Sequence, residues 1–449
     1  MRRYPFVLTL LGALGGATPA WAQPPLLTLP EALQRADAHA YANRTASANA
    51  SAQSAQAIAP LRGILPSLRV EAGYVRTTDP IGAFGTTLRQ RTITQADFDP
   101  RRLNYPGVAS NYAGGVVLEQ PLFNADAHLG RLAAGRAAAA GRASEQWTKR
   151  STRVDVVRAY YGATLAAEKV ATLEVAARAA HEHVRQAEAM VRNGLVTRSD
   201  ALLAAVKAGE VDAQLIEARG QAALAKKQLA LLLGQPGDTA FALPAALPAA
   251  DTAALRREAA TPAPDNVAVR ADVRAAQLGL AAAQADMRRA QSLYLPRLNA
   301  FARYDWNSAD QVFAGDRNWT AGLMLSWTPF AGASEIAEWR GGRARAAAAQ
   351  ALAEGAEAQA RLQVEQAATE LQVALERLTI AERAVGQSRE AHRIVTRRYQ
   401  GELAGVTELL DAAAAETAAE LGRSHALYTA LTAAAALRHA QGAELNGEW

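Results

Sequence analysis

The 449-residue chain contains no cysteine. Disulfides, thiolate metal sites and a lipid anchor on an N-terminal cysteine are therefore excluded. It also lacks any apolar stretch of the ~20 residues that a membrane-spanning helix needs. It has no strong excess of charge: the net value is +5, or +3 without Arg2 and Arg3, too mild to argue for nucleic acid. Its seven histidines are scattered, and His181 and His183, two apart on a helix, do not share a face. No catalytic triad, metal-ligand cluster or phosphate-binding loop is present. The reading assigns no catalytic residue, no cofactor and no metal.

Proline is also missing from residues 125–192, and that absence is informative. From Val156 the apolar positions step by 3 and 4: Ala159, Ala163, Ala166, Val170, Leu173, Ala177, Ala180, Val184, Ala187 and Val191. Such a seam predicts a coiled-coil-like helix rather than an ordinary globular one. If helical throughout, the stretch reaches roughly 100 Å at ~1.5 Å per residue. Gly194 then offers a left-handed position where the chain can turn back.

Taken in order, residues 1–22 read as an export signal. Arg2 and Arg3 precede an apolar run, and Ala20-Trp21-Ala22 fits the small-x-small cleavage rule. Thr28, Pro30 and Glu31 open a helix expected to run to about Arg62. At Pro66 the period becomes two, and strands are expected near 66–76 and 112–120, around a polar loop over 77–111. The long helix, a turn near 194 and a returning helix follow, then a Pro- and Ala-rich connector over 234–264.

After residue 265 the plan repeats: a helix over 266–292, strands near 296–306 and 319–327, and a second hairpin turning near 401. Pro121 matches Pro329 at an offset of 208, which sets the first seam on Val364, Ala367, Leu371, Ala374, Leu378, Ala381, Val385, Ser388, His392, Val395 and Tyr399. Residues 23–264 and 265–449 are thus two structural repeats. Leu65-Pro66 matches Leu295-Pro296 at an offset of 230, so the first strand loop is 22 residues longer.

Four strands of about ten residues cannot close a barrel, and an open edge in lipid is forbidden. Tyr74, Tyr112, Tyr304, Trp306, Trp319 and Trp327 sit where interfacial aromatics would. The inference is a mainly α chain with membrane β-strands that several copies pool. The competing reading is a periplasmic coiled-coil adaptor or scaffold without its own pore. Heptads suit it, but aromatic-flanked strands at two registered positions do not.

Several motifs together carry a resemblance: Leu29-Pro30-Glu31-Ala32-Leu33, Leu65-Pro66-Ser67-Leu68, Gln120-Pro121-Leu122-Phe123, Ala159-Tyr160-Tyr161, residues 194–202 (Gly-Leu-Val-Thr-Arg-Ser-Asp-Ala-Leu), Leu295-Pro296-Arg297-Leu298, and Arg398-Tyr399-Gln400 leading to Leu409-Leu410-Asp411-Ala412. With these the chain resembles the outer-membrane efflux family typified by TolC, over essentially its whole mature length. The resemblance implies a homotrimer with a shared twelve-stranded barrel in the outer membrane of a Gram-negative bacterium. It also implies a helical periplasmic tunnel, a periplasmic adaptor (membrane fusion) protein and an inner-membrane pump. The role implied is the outer channel of a tripartite efflux or type I secretion system. Arg192, Gly194, Leu195, Thr197, Ser199, Asp200, Gly401, Leu403 and Thr407 would form adaptor-contact tips. Glu408 and Asp411 would form a cation-selecting periplasmic gate. The family usually has its second turn glycine one residue later than Gly401.

Overall fold

The computed structural model describes residues 25–260 and 267–445. The expected export signal lies outside them. Among these residues the helices are α1 (Leu29–His39), α2 (Tyr41–Gln56), α3 (Pro80–Arg89), α4 (Pro100–Asn104), α5 (Ala125–Arg192), α6 (Arg198–Leu232), α7 (Thr252–Ala260), α8 (Ala271–Ser292), α9 (Ser334–Gln400) and α10 (Val406–Ala440). The strands are β1 (Ser67–Thr77), β2 (Ala109–Phe123), β3 (Arg297–Ser308) and β4 (Asp316–Ser326). The chain divides into two compact units, neither contiguous in sequence.

One unit holds the chain up to Arg35, Arg158–Ala249 and Ala381–Tyr428. Its core is the expected seam. Leu173 and Ala177 of α5 pack against Leu215 and Ala218 of α6. Fully burying one such leucine stabilises by roughly 2 kcal/mol, and small alanines between the leucines let the helices approach closely. The segment before α1 is tied to the connector: Leu27 N–H donates to Ala242 O, and Ala242 N–H to Pro25 O, both at 2.9 Å. Tyr160 O–H donates to Leu27 O at 2.8 Å, and its burial pushes the phenol up to about 12. Glu168 pins the connector to α10, accepting from Leu247 N–H at 3.1 Å and Ser424 O–H at 2.6 Å.

The other unit holds Ala36–Val157, Ala250–Ile380 and the chain from Thr429 on. Its sheet is antiparallel in the order β1-β2-β3-β4, so β1 and β4 are each paired on one side only. Two helices expected to be continuous are broken here. Ala40 is extended (φ −55°, ψ 131°) between α1 and α2, and Arg270 (φ −60°, ψ 138°) stands before α8 after a short 3₁₀ turn. The breaks are 230 residues apart, the offset of the strand motifs. Each has its own polar plug. Asn43, buried, donates to Ala36 O at 3.1 Å. Arg270, 2% exposed, donates to Ala440 O and Ala360 O, pairs with Asp272, and stacks on Trp147. Neither site carries glycine or proline, so nothing in local composition marks it.

The loop expected over 77–111 is also more ordered than its polarity suggests. Asp79 caps α3 by accepting from Gly82 N–H at 2.6 Å, and Asp99 caps α4 from Arg101 N–H at 2.8 Å. In each, proline follows the cap, the arrangement that starts a helix. Gln90 at the end of α3 donates to Ser110 O and Asn111 Oδ1, fixing the insert on β2.

Candidate functional site: two turns and an apolar sheet face

The first turn is built by backbone hydrogen bonds. Gly194 (φ +74°) donates to Val191 O at 3.0 Å, and Leu195 N–H to Met190 O at 2.9 Å. This is the paired 6→1 and shorter bond of a glycine-terminated helix. Then Thr197 caps α6. Its hydroxyl oxygen accepts from Asp200 N–H at 3.3 Å, while Asp200 Oδ2 accepts from Thr197 N–H at 3.0 Å and O–H at 2.8 Å. Both side chains are committed to this reciprocal box. Arg192, Leu195 and Ser199 are exposed.

The second turn repeats the same bonds 208 residues on. Glu402 N–H donates to Tyr399 O at 3.1 Å, and Leu403 N–H to Arg398 O at 2.7 Å. The left-handed residue is Glu402 (φ +61°), not the Gly401 that composition singles out. Equal loop length fixes this outcome: the position of Gly194 falls on Glu402, and the glycine comes one residue early. A side chain there costs about 1–2 kcal/mol against glycine. Arg398, a residue the motif reading gave no role, binds across the loop. It donates to Leu403 O at 3.0 Å and meets Glu408 Oε2 at 3.4 Å.

The position matching Thr197 is Gly405, which has no side chain to cap α10. Glu408, matching Asp200, is thereby left out of any box and stands exposed beside Arg398. Asp411 is exposed one turn on, while Leu409 and Leu410 between them are buried. The spacing therefore does put both carboxylates on the outward side of α10. The two turns pack together through Ala187, Ala204, Tyr399, Val406, Leu409 and Leu410, with Leu203 and Met190 against them. Leu203, the match of Asp411, thus serves the apolar contact. Tyr399 is buried there, which raises its phenol, and the nearby Asp200 charge adds to the rise.

In the other unit, register unites the aromatics. Tyr74 pairs Tyr112, Val116 pairs Tyr304, Gly114 pairs Trp306 and Tyr304 pairs Trp319. One face therefore reads Leu68, Val70, Tyr74 on β1, through Val116, Leu118 and Ala302, to Trp319, Leu323 and Leu325 on β4. Most of its large side chains are exposed. The opposite face carries Arg69, Glu71, Arg303 and Asp305, joined by ion pairs. Trp327 lies one residue beyond β4, where its indole N–H donates to Tyr294 O at 3.1 Å. Phe313 of the β3–β4 turn covers Gly114 and meets Trp306 edge-on. Among the described residues no helix is long and apolar enough to cross a membrane.

The fold has solved counterparts. The outer membrane protein VceC of Vibrio cholerae is 22% identical, with a TM-score of 0.76 over 92% of this chain and 96% of that one. The outer membrane channel CmeC of Campylobacter jejuni is 15% identical, with a TM-score of 0.76 over 97% and 93%. The open-state MtrE channel of Neisseria gonorrhoeae is 20% identical, with a TM-score of 0.73 over 92% and 89%. At these identities the likeness is one of fold. No curated protein matches the chain in sequence. The family profile described as outer membrane efflux protein matches residues 30–235 and 266–443, so most of both repeats. Covering well over half of the sequence, that match shows that the chain belongs to the outer membrane efflux protein family.

Proposed function

We propose that three copies of this chain pool their sheets into one twelve-stranded barrel in the outer membrane of a Gram-negative bacterium. As an outer membrane efflux protein, the chain is the outer-membrane channel component of a tripartite efflux system. Substrate passes through it to the exterior from an inner-membrane pump and a periplasmic adaptor. The count of three is the family's, and the observation that carries the shared barrel is the open sheet. It has two unpaired edges and one continuous apolar face, and lipid tolerates only a closed barrel. Lipid contacts the aromatic-bearing face, and the ion-paired face lines the lumen.

The two turns are the adaptor-contact tips. Arg192, Gly194, Leu195, Thr197, Ser199 and Asp200 form the first, and Gly401, Leu403 and Thr407 the second. Exposed Leu195 and Leu403, which match at the 208 offset, support this reading by giving each turn an apolar side chain that a partner can cover. Glu408 and Asp411 form the periplasmic gate, where threefold symmetry gathers six carboxylates around one mouth. The mature protein extracted in mild detergent is expected to have three times the mass of one chain. A monomer, or a protein found wholly in the soluble periplasm, would contradict the proposal.

A further inference from the structure

Near their turns the two hairpins meet through an apolar cluster and, next to it, a pair of histidines. There His183 of α5 faces His392 of α9, with ring centroids 6.3 Å apart and planes at 72°. His392 Nδ1 lies 2.5 Å from Glu416 Oε2 on α10. Its Nε2 and both nitrogens of His183 are buried without a hydrogen-bond partner. Next along each helix, Val184, Ala187, Val395 and Tyr399 belong to the cluster that holds the turns together.

The carboxylates around the pair already have partners. On α10, Glu416 already serves His392 and also Arg389 at 3.7 Å, and Arg389 leans on Glu420. On α9, Glu390 pairs with Arg393. On α5, Glu182 pairs with Arg185. On α6, Asp212 is held by His181. Burial first, and the charge of His392 second, hold His183 below the ordinary histidine range, against a weaker pull from Gln186 and Glu182. The docked arrangement thus disfavours the charged form of His183. Parting the hairpins admits water and returns it towards its ordinary value of about 6.5. Below that value the parted arrangement binds more protons, so acid favours parting.

We infer that His183 and His392 form a proton-sensitive contact that holds the two turns together at neutral pH and releases them on acidification. Its consequence, an acid-loosened channel mouth, rests on the reading of the turns as the gate. The contact itself belongs to one protomer and can be tested apart.

The absence of cysteine makes the test direct. Spin labels are placed at Arg192→Cys and Leu403→Cys, both exposed, in the full-length protein, diluted with unlabelled chain so that one protomer carries both. The inter-label distance is expected to lengthen between about pH 7.5 and about pH 5, either side of the ordinary histidine value. In His183→Gln and in His392→Gln the shift is expected to vanish. An unmoved distance without either substitution, or the same shift in both variants, would overturn the contact. A distance that lengthens while conductance stays absent at both pH values would uphold the contact and count against the mouth.

Discussion

The two hairpins share a backbone and differ in what their side chains are free to do. α5 and α9 run 68 and 67 residues, and α6 and α10 run 35 each. Both turns use the same pair of backbone bonds. Even one rung between helices recurs at the 208 offset: His181 with Asp212 in the first, Arg389 with Glu420 in the second. The differences lie at the turns themselves. The first has glycine at the left-handed position, a threonine cap and an aspartate consumed by that cap. The second has glutamate at the left-handed position, glycine at the cap and a glutamate outside it. A repeated backbone can therefore hold its shape through main-chain hydrogen bonds while one copy spends its carboxylate on a cap and the other leaves Glu408, beside Arg398, and Asp411 exposed.

The comparison is broken most severely at the first turn. Proline cannot adopt the φ of Gly194 and has no N–H for Val191 O. Gly194→Pro, or Leu195→Asp, is expected to reduce efflux in cells to background. Trimer and membrane insertion, read by native gel and fractionation, should stay intact. Failure of assembly first would make these residues structural and remove them from the tip.

A second change turns one hairpin into the other. A Cβ on Gly405 would meet nothing within 4 Å, and its φ is not left-handed. Gly405→Thr creates the Thr-x-x-Glu spacing of a capping box with Glu408. The cap should stabilise the start of α10 by a few tenths of a kcal/mol, about the difference between these caps, and draw Glu408 away from the proposed mouth. Slower hydrogen exchange at the start of α10, together with a partial loss of cation selectivity, is the expected pair of results. Asp200→Asn is the control: it weakens the first cap by a similar amount and leaves selectivity unchanged.

The change expected to matter least for function concerns the left-handed position. Glu402→Gly relieves the strain and should slow local hydrogen exchange at the second turn by the equivalent of about 1 kcal/mol, while Gly194→Ala should hasten it at the first by as much. Equal and opposite shifts would confirm that the turns share one backbone.

Much of this was legible in sequence because it is periodic. The seam positions Val156, Ala163, Leu173, Ala177 and Ala187 are buried, as are Val364, Leu371, Leu378 and Tyr399 at the offset. Alternation located all four strands to within three residues at their ends, and the three-residue spacing of Glu408 and Asp411 puts them on one face of α10, which the structure leaves exposed. The rest depends on particular side-chain contacts, one of them local and the others between distant segments. The break at Ala40 needs Asn43 reaching back to Ala36, and that at Arg270 needs Ala360 and Ala440, 90 and 170 residues away. Pairing of His183 with His392 has no counterpart at the repeat offset, where the matching residues are Ala391 and Val184. Glu402 was readable: carrying the 208 offset through to Gly194 would have displaced Gly401 as the left-handed residue.

Single-channel recording in planar bilayers bears most directly on the proposal that the second turn lines the mouth of the pore. If Glu408 and Asp411 form the proposed gate, the protein should conduct with a preference for cations, because in three copies their carboxylates would outnumber the Arg398 guanidinium groups beside Glu408 and focus a negative field on passing ions. Replacing Glu408→Ala and Asp411→Ala together should weaken that preference and reduce block by trivalent cations. No conductance, or selectivity and block unchanged in the double variant, would contradict the account.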